Sequence, residues 1–257
     1  MPSSRKSSSS HSAIAGDHSP ALRNSALTVL GSIFVVAMPG YVLTASHLSL
    51  GILTIAGAAI LLLIIFALVV AGLRYHRFER FGFANTVTAI RAALVSMVAA
   101  VVLFSDIPRG AMLWSLVVIV LAALALDGVD GYLARRYRQE SELGARFDME
   151  IDALLIFCLA VAAFLLGKAG LWVLLIGVMR YAFVLAQYPL PRLKDPLPPS
   201  YRRKLVCVIQ VSVLCIILVP GIDPPVSSWL AAAALLLLTY SFAVDSYYLL
   251  RPREHNA

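Results

Sequence analysis

Asp127 and Asp130 stand three residues apart in the chain, and Asp148 and Asp152 stand four apart. On an α-helix both spacings place the two side chains on one face. The segment between the pairs is short and polar, so a helical hairpin would bring them together. Four facing carboxylates offer hard oxygen ligands, which suit Mg²⁺ or Mn²⁺. No His or Cys lies nearby to suggest zinc. Gly131 and Gly144 flank the turn of this hairpin. Without side chains there, a nucleotide or diphosphate can lie against backbone. A helical Gly costs about 1 kcal/mol relative to Ala, so such a position often has a packing or functional reason. Arg135 offers a planar fork to phosphate oxygens. A single Asp pair at a helix end is usually a cap or a solvated charge. Two phased pairs with Gly-x-x-Ala-Arg between them point to metal-assisted phosphate chemistry.

The elements that must position these residues are apolar. Hydrophobic residues make up 60% of the 257 and charged residues 14%, where a soluble surface needs about 25% charged. The apolar residues fall into runs long enough for helices that cross a hydrocarbon core, which takes roughly 20 residues each. Eight runs are read, at 26–45, 51–73, 86–104, 111–133, 147–166, 171–187, 205–219 and 229–250. The seventh is short, and Pro189, Pro191, Pro196, Pro198 and Pro199 mark the loop before it. Residues 1–25 are Ser-rich and polar and read as a disordered tail. They do not resemble a secretory signal, because the apolar run begins late and continues long. The expected division is therefore tail 1–25, two accessory helices 26–73, a basic connector 74–84, a core 85–250 and a tail 251–257. Cys158, Cys207 and Cys215 lie inside apolar runs and read as packing residues, with no disulfide or metal spacing.

The formal charge of +7 is explained by topology rather than by nucleic acid. With the N-terminus in the cytoplasm, the cytoplasmic segments hold 17 of the 21 Lys and Arg, all but Arg91, Arg109, Lys168 and Arg180. Asp127 and Asp130 then fall near the cytoplasmic end of the fourth span, and Asp148 and Asp152 at that end of the fifth. Carboxylates in membrane segments are costly and are usually paired or functional. The expectation is a multi-pass protein of a bacterial plasma membrane with its site facing the cytoplasm.

The pattern D-x2-D-G-x2-A-R-x8-G-x3-D-x3-D, from Asp127 to Asp152, resembles the signature of the CDP-alcohol phosphatidyltransferases at every fixed position. Asn85, Thr88 and Arg91 resemble the Asn-x-x-Thr-x-x-Arg opening of that family's first core helix. Alone, this short motif reads equally as an N-cap followed by a snorkelling Arg. The resemblance covers roughly 85–250 and implies an all-α integral membrane fold, a six-helix core behind two extra N-terminal transmembrane helices. It implies that Asp127, Asp130 and Asp148 hold two metal ions. Asp152 would assist at the metal site and serve as general base. Asn85, Thr88, Gly131, Ala134, Arg135, Ser141 and Gly144 would line the CDP-lipid pocket. The implied reaction joins a phosphatidyl group from CDP-diacylglycerol to an alcohol acceptor, releasing CMP, in a protein that forms a homodimer among membrane lipids.

The acceptor is less defined. Arg180 lies within the sixth span, and Arg202, Arg203 and Lys204 open the seventh. As an anion site, Arg180, Arg203 and Lys204 favour glycerol 3-phosphate or inositol phosphate. As structure, Arg180 pairs with a carboxylate such as Asp245, and the others follow the positive-inside pattern. Lys204 with Gln210 loosely resembles the Gly-Lys-x5-Gln stretch of phosphatidylglycerophosphate synthases, with Arg203 in place of the glycine. Two other functions use similar parts. A membrane prenyltransferase sets Asp-rich helices and Mg²⁺ around a diphosphate but does not predict Gly-x-x-Ala-Arg. An ion or metal transporter predicts carboxylates near the midplane and inverted repeats, and no repeat is visible.

Overall fold

A computed structural model describes residues 20–73, 81–105, 110–137, 142–194 and 200–250, with side chains except at positions 20, 111, 130–137, 142, 194 and 204. Among the described residues the chain forms eight α-helices, two short 3₁₀ turns and no strand. The helices are α1 (Pro20–His47), α2 (Ile52–Gly72), α3 (Phe83–Phe104), α4 (Ala111–Tyr137), α5 (Glu142–Leu165), α6 (Leu174–Ala186), α7 (Tyr201–Leu218) and α8 (Val226–Leu250). The eight apolar runs fall one to a helix. Five helices, α1 to α4 and α8, are long and apolar enough to cross a membrane by length and composition. Of the others, α6 is apolar but has 13 residues. The second turn of α5 and the first turn of α7 are charged, through Arg146 and Asp148 and through Arg202 and Arg203.

Several helix ends depart from the runs. The first helix begins at Pro20, so residues 20–25 belong to it and not to a tail. Proline is tolerated in a first turn, where its missing N–H has no intrahelical partner. The helix α3 begins at Phe83, two residues before the expected core. Helix α4 runs on to Tyr137, and α5 and α7 begin at Glu142 and Tyr201. In each case hydropathy marks only the hydrocarbon-compatible stretch, while backbone hydrogen bonding continues into the polar boundary. The remaining parts of the expected tails and connector, 1–19, 74–80 and 251–257, lie outside the described residues.

Helix α3 is the hub. It packs against α1, α2, α4 and α5. Its buried faces carry Ala89, Ala92, Ala93, Ala99 and Ala100, and small residues let helix backbones approach closely in apolar surroundings. Helix α5 continues the packing to α6 and α7, and α7 pairs with α8. At the α5–α6 contact, a Cβ on Gly177 would stand 2.7 Å from Phe157 Cα, so alanine there would force backbone apart. The N-terminal hairpin is joined to this bundle. Tyr41 Oη donates to Ala93 O at 2.8 Å, and a Cβ on Gly72 would stand 2.9 Å from Leu143 Cδ1 in the first turn of α5.

The two ends of the bundle differ. One gathers the starts of α3, α5 and α7 with the end of α4. At the other, Lys168 in the α5–α6 connection is 6% exposed. Its Nζ donates to Ile222 O at 2.9 Å and to Asp223 Oδ1 at 2.7 Å. Ser227 and Ser228 hydroxyls donate to Lys168 O at 2.5 and 3.2 Å. These bonds clamp the two connections together.

Candidate metal and substrate site

Three helices meet at the charged end. Asp127 stands on α4, and Asp148 and Asp152 stand one turn apart on α5. One ligand oxygen from each carboxylate falls in a group whose members lie within 4.8 Å of one another, and all three residues are partly buried. The i, i+4 spacing puts Asp148 and Asp152 on one face, and α4, which packs on α3, supplies Asp127. The donor set fits a hard divalent cation, because it is all carboxylate, partly open and close enough to share an ion.

Arg91 of α3 lies among these carboxylates and is 1% exposed. Its Nη1 donates to Asp127 Oδ1 at 2.5 Å. Its Nη2 donates to Asp148 Oδ1 at 2.5 Å, to Asp152 Oδ1 at 3.0 Å and to Asp148 O at 3.2 Å. A buried guanidinium persists only with such partners. One guanidinium thus pairs with three carboxylates. On the far side, Cys207 Sγ of α7 donates a weak hydrogen bond to Asp152 Oδ2 at 3.8 Å.

Arg91 is the residue that sequence reasoning did not assign to the site. The signal was present. Arg91 lies eight residues into α3, about 12 Å along the axis, at a depth where an uncompensated charge is expensive. The snorkelling alternative fails because the side chain runs inward to the carboxylates. The N-cap alternative fails as well. Gly82, with φ 85°, occupies the cap position. Asn85 is buried and its Nδ2 donates to Phe81 O at 2.5 Å, and Thr88 Oγ1 donates to Ala84 O at 3.1 Å. Asn85, Thr88 and Arg91 thus rise at successive three-residue steps along α3 toward the cluster.

The remaining expected residues are placed as follows. Asp130, Gly131, Ala134 and Arg135 fall in the last turns of α4, and Gly144 in the first turn of α5. Ser141 lies outside the described residues. The structure does not bring Arg180 to the cluster. Its Nη2 donates to Glu150 Oε1 at 2.5 Å, and Glu150 projects from the face of α5 opposite Asp148 and Asp152. The expected Arg180 partner, Asp245, is instead taken by α7. Arg202 bonds Asp245 and also donates to Ser241 O and Oγ, each at 2.7 Å, and Arg203 Nη1 reaches Asp245 Oδ1 at 3.5 Å. Two guanidiniums thus converge on one carboxylate in this neighbouring cluster. Arg203 lies one turn before Cys207 on the same face of α7. Lys204 follows in the helix. Gln210 is a helix contact, its Nε2 donating to Ala234 O at 2.6 Å.

The model of the CDP-alcohol phosphatidyltransferase family matches residues 81–241. That region runs from the start of α3 into α8 and contains every member of both charged clusters except Asp245. Comparison with curated proteins and with solved structures gave no match. The matched region is more than half of the chain, and it holds the carboxylates and Arg91 in one all-helical bundle. The chain belongs to the CDP-alcohol phosphatidyltransferase family, and is accordingly a multi-pass integral membrane protein.

Proposed function

We propose that this protein transfers a phosphatidyl group from CDP-diacylglycerol to a small anionic alcohol, such as glycerol 3-phosphate or inositol phosphate, releasing CMP. The observation that carries the reading is the gathering of Asp127, Asp148 and Asp152 within 4.8 Å inside the region matched by the family. Asp127, Asp130, Asp148 and Asp152 hold two Mg²⁺ or Mn²⁺ ions. When bound, the ions neutralise the diphosphate and stabilise the attacking and leaving oxygens. The turns bearing Gly131, Ala134, Arg135, Ser141 and Gly144, with Asn85 and Thr88, line the CDP-lipid pocket. Asp152 accepts the proton of the acceptor hydroxyl on a carboxylate oxygen. The hydroxyl oxygen forms a bond to the β-phosphorus as the bond to CMP breaks, and CMP leaves with that electron pair. No covalent enzyme intermediate is required.

An anionic acceptor is favoured by the run of basic residues Arg202, Arg203 and Lys204 at the start of α7, one turn before the Cys207 that reaches Asp152. Arg203 and Lys204 are its proposed contacts. Arg180, held by Glu150 on the far face of α5, is left out of that role. The excess of basic residues in the expected cytoplasmic segments supports a site facing the cytoplasm of a bacterial plasma membrane, and a homodimer completes the proposal.

The test is CMP release by purified protein in detergent, supplied with CDP-diacylglycerol, Mg²⁺ or Mn²⁺, and a panel of alcohols. Metal-dependent release with one anionic acceptor supports the reading and names the substrate. Release with serine, free inositol or phosphatidylglycerol alone overturns the acceptor assignment. Folded protein that binds no CDP-diacylglycerol overturns the donor.

A further inference from the structure

Arg91 does more than sit near the carboxylates. Its two terminal nitrogens engage one oxygen from each of Asp127, Asp148 and Asp152, and these carboxylates are the ones that could share a metal ion. The contacts come from two other helices, α4 and α5, at sequence separations of 36, 57 and 61 residues. Without a cation among them, three partly buried carboxylates at this spacing would repel one another, and α4 and α5 would have no charge reason to converge. Asp152 has little room to turn away, because its second oxygen meets Cys207.

We infer that Arg91 is a built-in counter-cation that competes with divalent metal for Asp127, Asp148 and Asp152. In the metal-free protein its guanidinium holds the site assembled. Metal entry requires Arg91 to give up part of its contacts, because a guanidinium and a divalent ion cannot share the same oxygens at contact distance without strong repulsion. Arg91 is thus a positioning residue that also sets metal affinity. With the guanidinium in place the three carboxylates still attract a divalent ion, but less strongly than they would without it. The inference rests on the proposed metal-holding role of the aspartates.

The experiment measures Mn²⁺ binding to the purified full chain in detergent, from the spectroscopic signal of free Mn²⁺, for wild type, Arg91→Gln and Arg91→Lys. Thermal unfolding is followed with and without Mn²⁺. Arg91→Gln is expected to bind Mn²⁺ about tenfold or more tightly than wild type, since one repelling charge is gone. Its metal-free form should melt lower than wild type, and Mn²⁺ should raise its melting temperature by the larger amount. Arg91→Lys keeps the charge but lacks the fork, so it should fold where Gln does not and bind with intermediate affinity. Equal or weaker Mn²⁺ binding by the variants, beside clear binding by wild type, would overturn the inference and leave the metal site standing. No binding by wild type or by either folded variant would overturn both.

Discussion

The bundle buries two cations at opposite ends, and their surroundings differ in one respect. Lys168 is balanced. It meets a single carboxylate, Asp223, which is itself 69% exposed, and a backbone carbonyl. Arg91 is outnumbered, with three carboxylates from two helices around one guanidinium. The first arrangement is complete as it stands and ties two connections together. The second gathers three carboxylates around one cation at the candidate metal site. Like charges gathered at a partly open, low-dielectric site are what attract an ion or a charged substrate. In the α7–α8 cluster the ratio is reversed, because Arg202 and Arg203 share Asp245. At one end a buried cation meets one carboxylate and ties two connections together, and at the other it meets the three carboxylates of the candidate metal site.

The sharpest way to break this contrast is at the unbalanced end. Asp152→Asn is expected to lower the rate of CMP release by about 10²- to 10⁴-fold, the usual contribution of a general base, while thermal unfolding of the protein stays cooperative. A variant that retained wild-type turnover would remove Asp152 from the chemistry. Lys168→Met tests the balanced end. It should cost about 1.5–3 kcal/mol of stability through lost charged hydrogen bonds, seen as a lower melting temperature in detergent. Mn²⁺ affinity and turnover at low temperature should not move, and a tenfold change in either would mean that the two ends are coupled. Arg203→Ala probes the positive cluster. An increase of about tenfold in KM for an anionic acceptor, or 1.4 kcal/mol, is expected, with CDP-diacylglycerol binding unchanged. An equal loss for a neutral alcohol would show that Arg203 does not read acceptor charge. Cys207→Ala should have the smallest effect. The thiol offers Asp152 one long, weak bond, so kcat should fall about two- to fivefold with KM intact. A larger loss, not recovered by Cys207→Ser, would give the thiol a role beyond orientation.

The contrast also explains which parts of the site the sequence disclosed. The four aspartates could be found because their spacing matches the helix period within a few residues, and such local geometry survives projection onto one dimension. Arg91 could not be assigned in the same way. A single Arg in an apolar helix has the same local signature whether it snorkels, pairs or binds, and its partners lie 36 to 61 residues away. The exchange of partners between Arg180 and Arg202 has the same cause. The sequence reading offered Asp245 as a partner for Arg180, and the packing of α5 against α6 placed Glu150 there instead. Several helix ends lie two to six residues from the ends of their apolar runs for a simpler reason. Hydropathy detects where lipid can surround a helix, and Pro20, Tyr137 and Glu142 lie in helices beyond that zone.

By itself the sequence determined that the chain is a bundle of eight apolar helices and that its carboxylates gather on the fourth and fifth. Both follow from short-range rules, namely hydrocarbon thickness and helix period. It also determined the family, through a signature that is contiguous in the chain. Only the tertiary structure decided that α3 is the hub, that its arginine sits among the carboxylates, and that Cys207 and Asp245 face the charges they do. Those outcomes depend on how helices far apart in sequence rotate and pack, and small residues such as Ala92 and Gly177 set that packing through distances that no local pattern encodes.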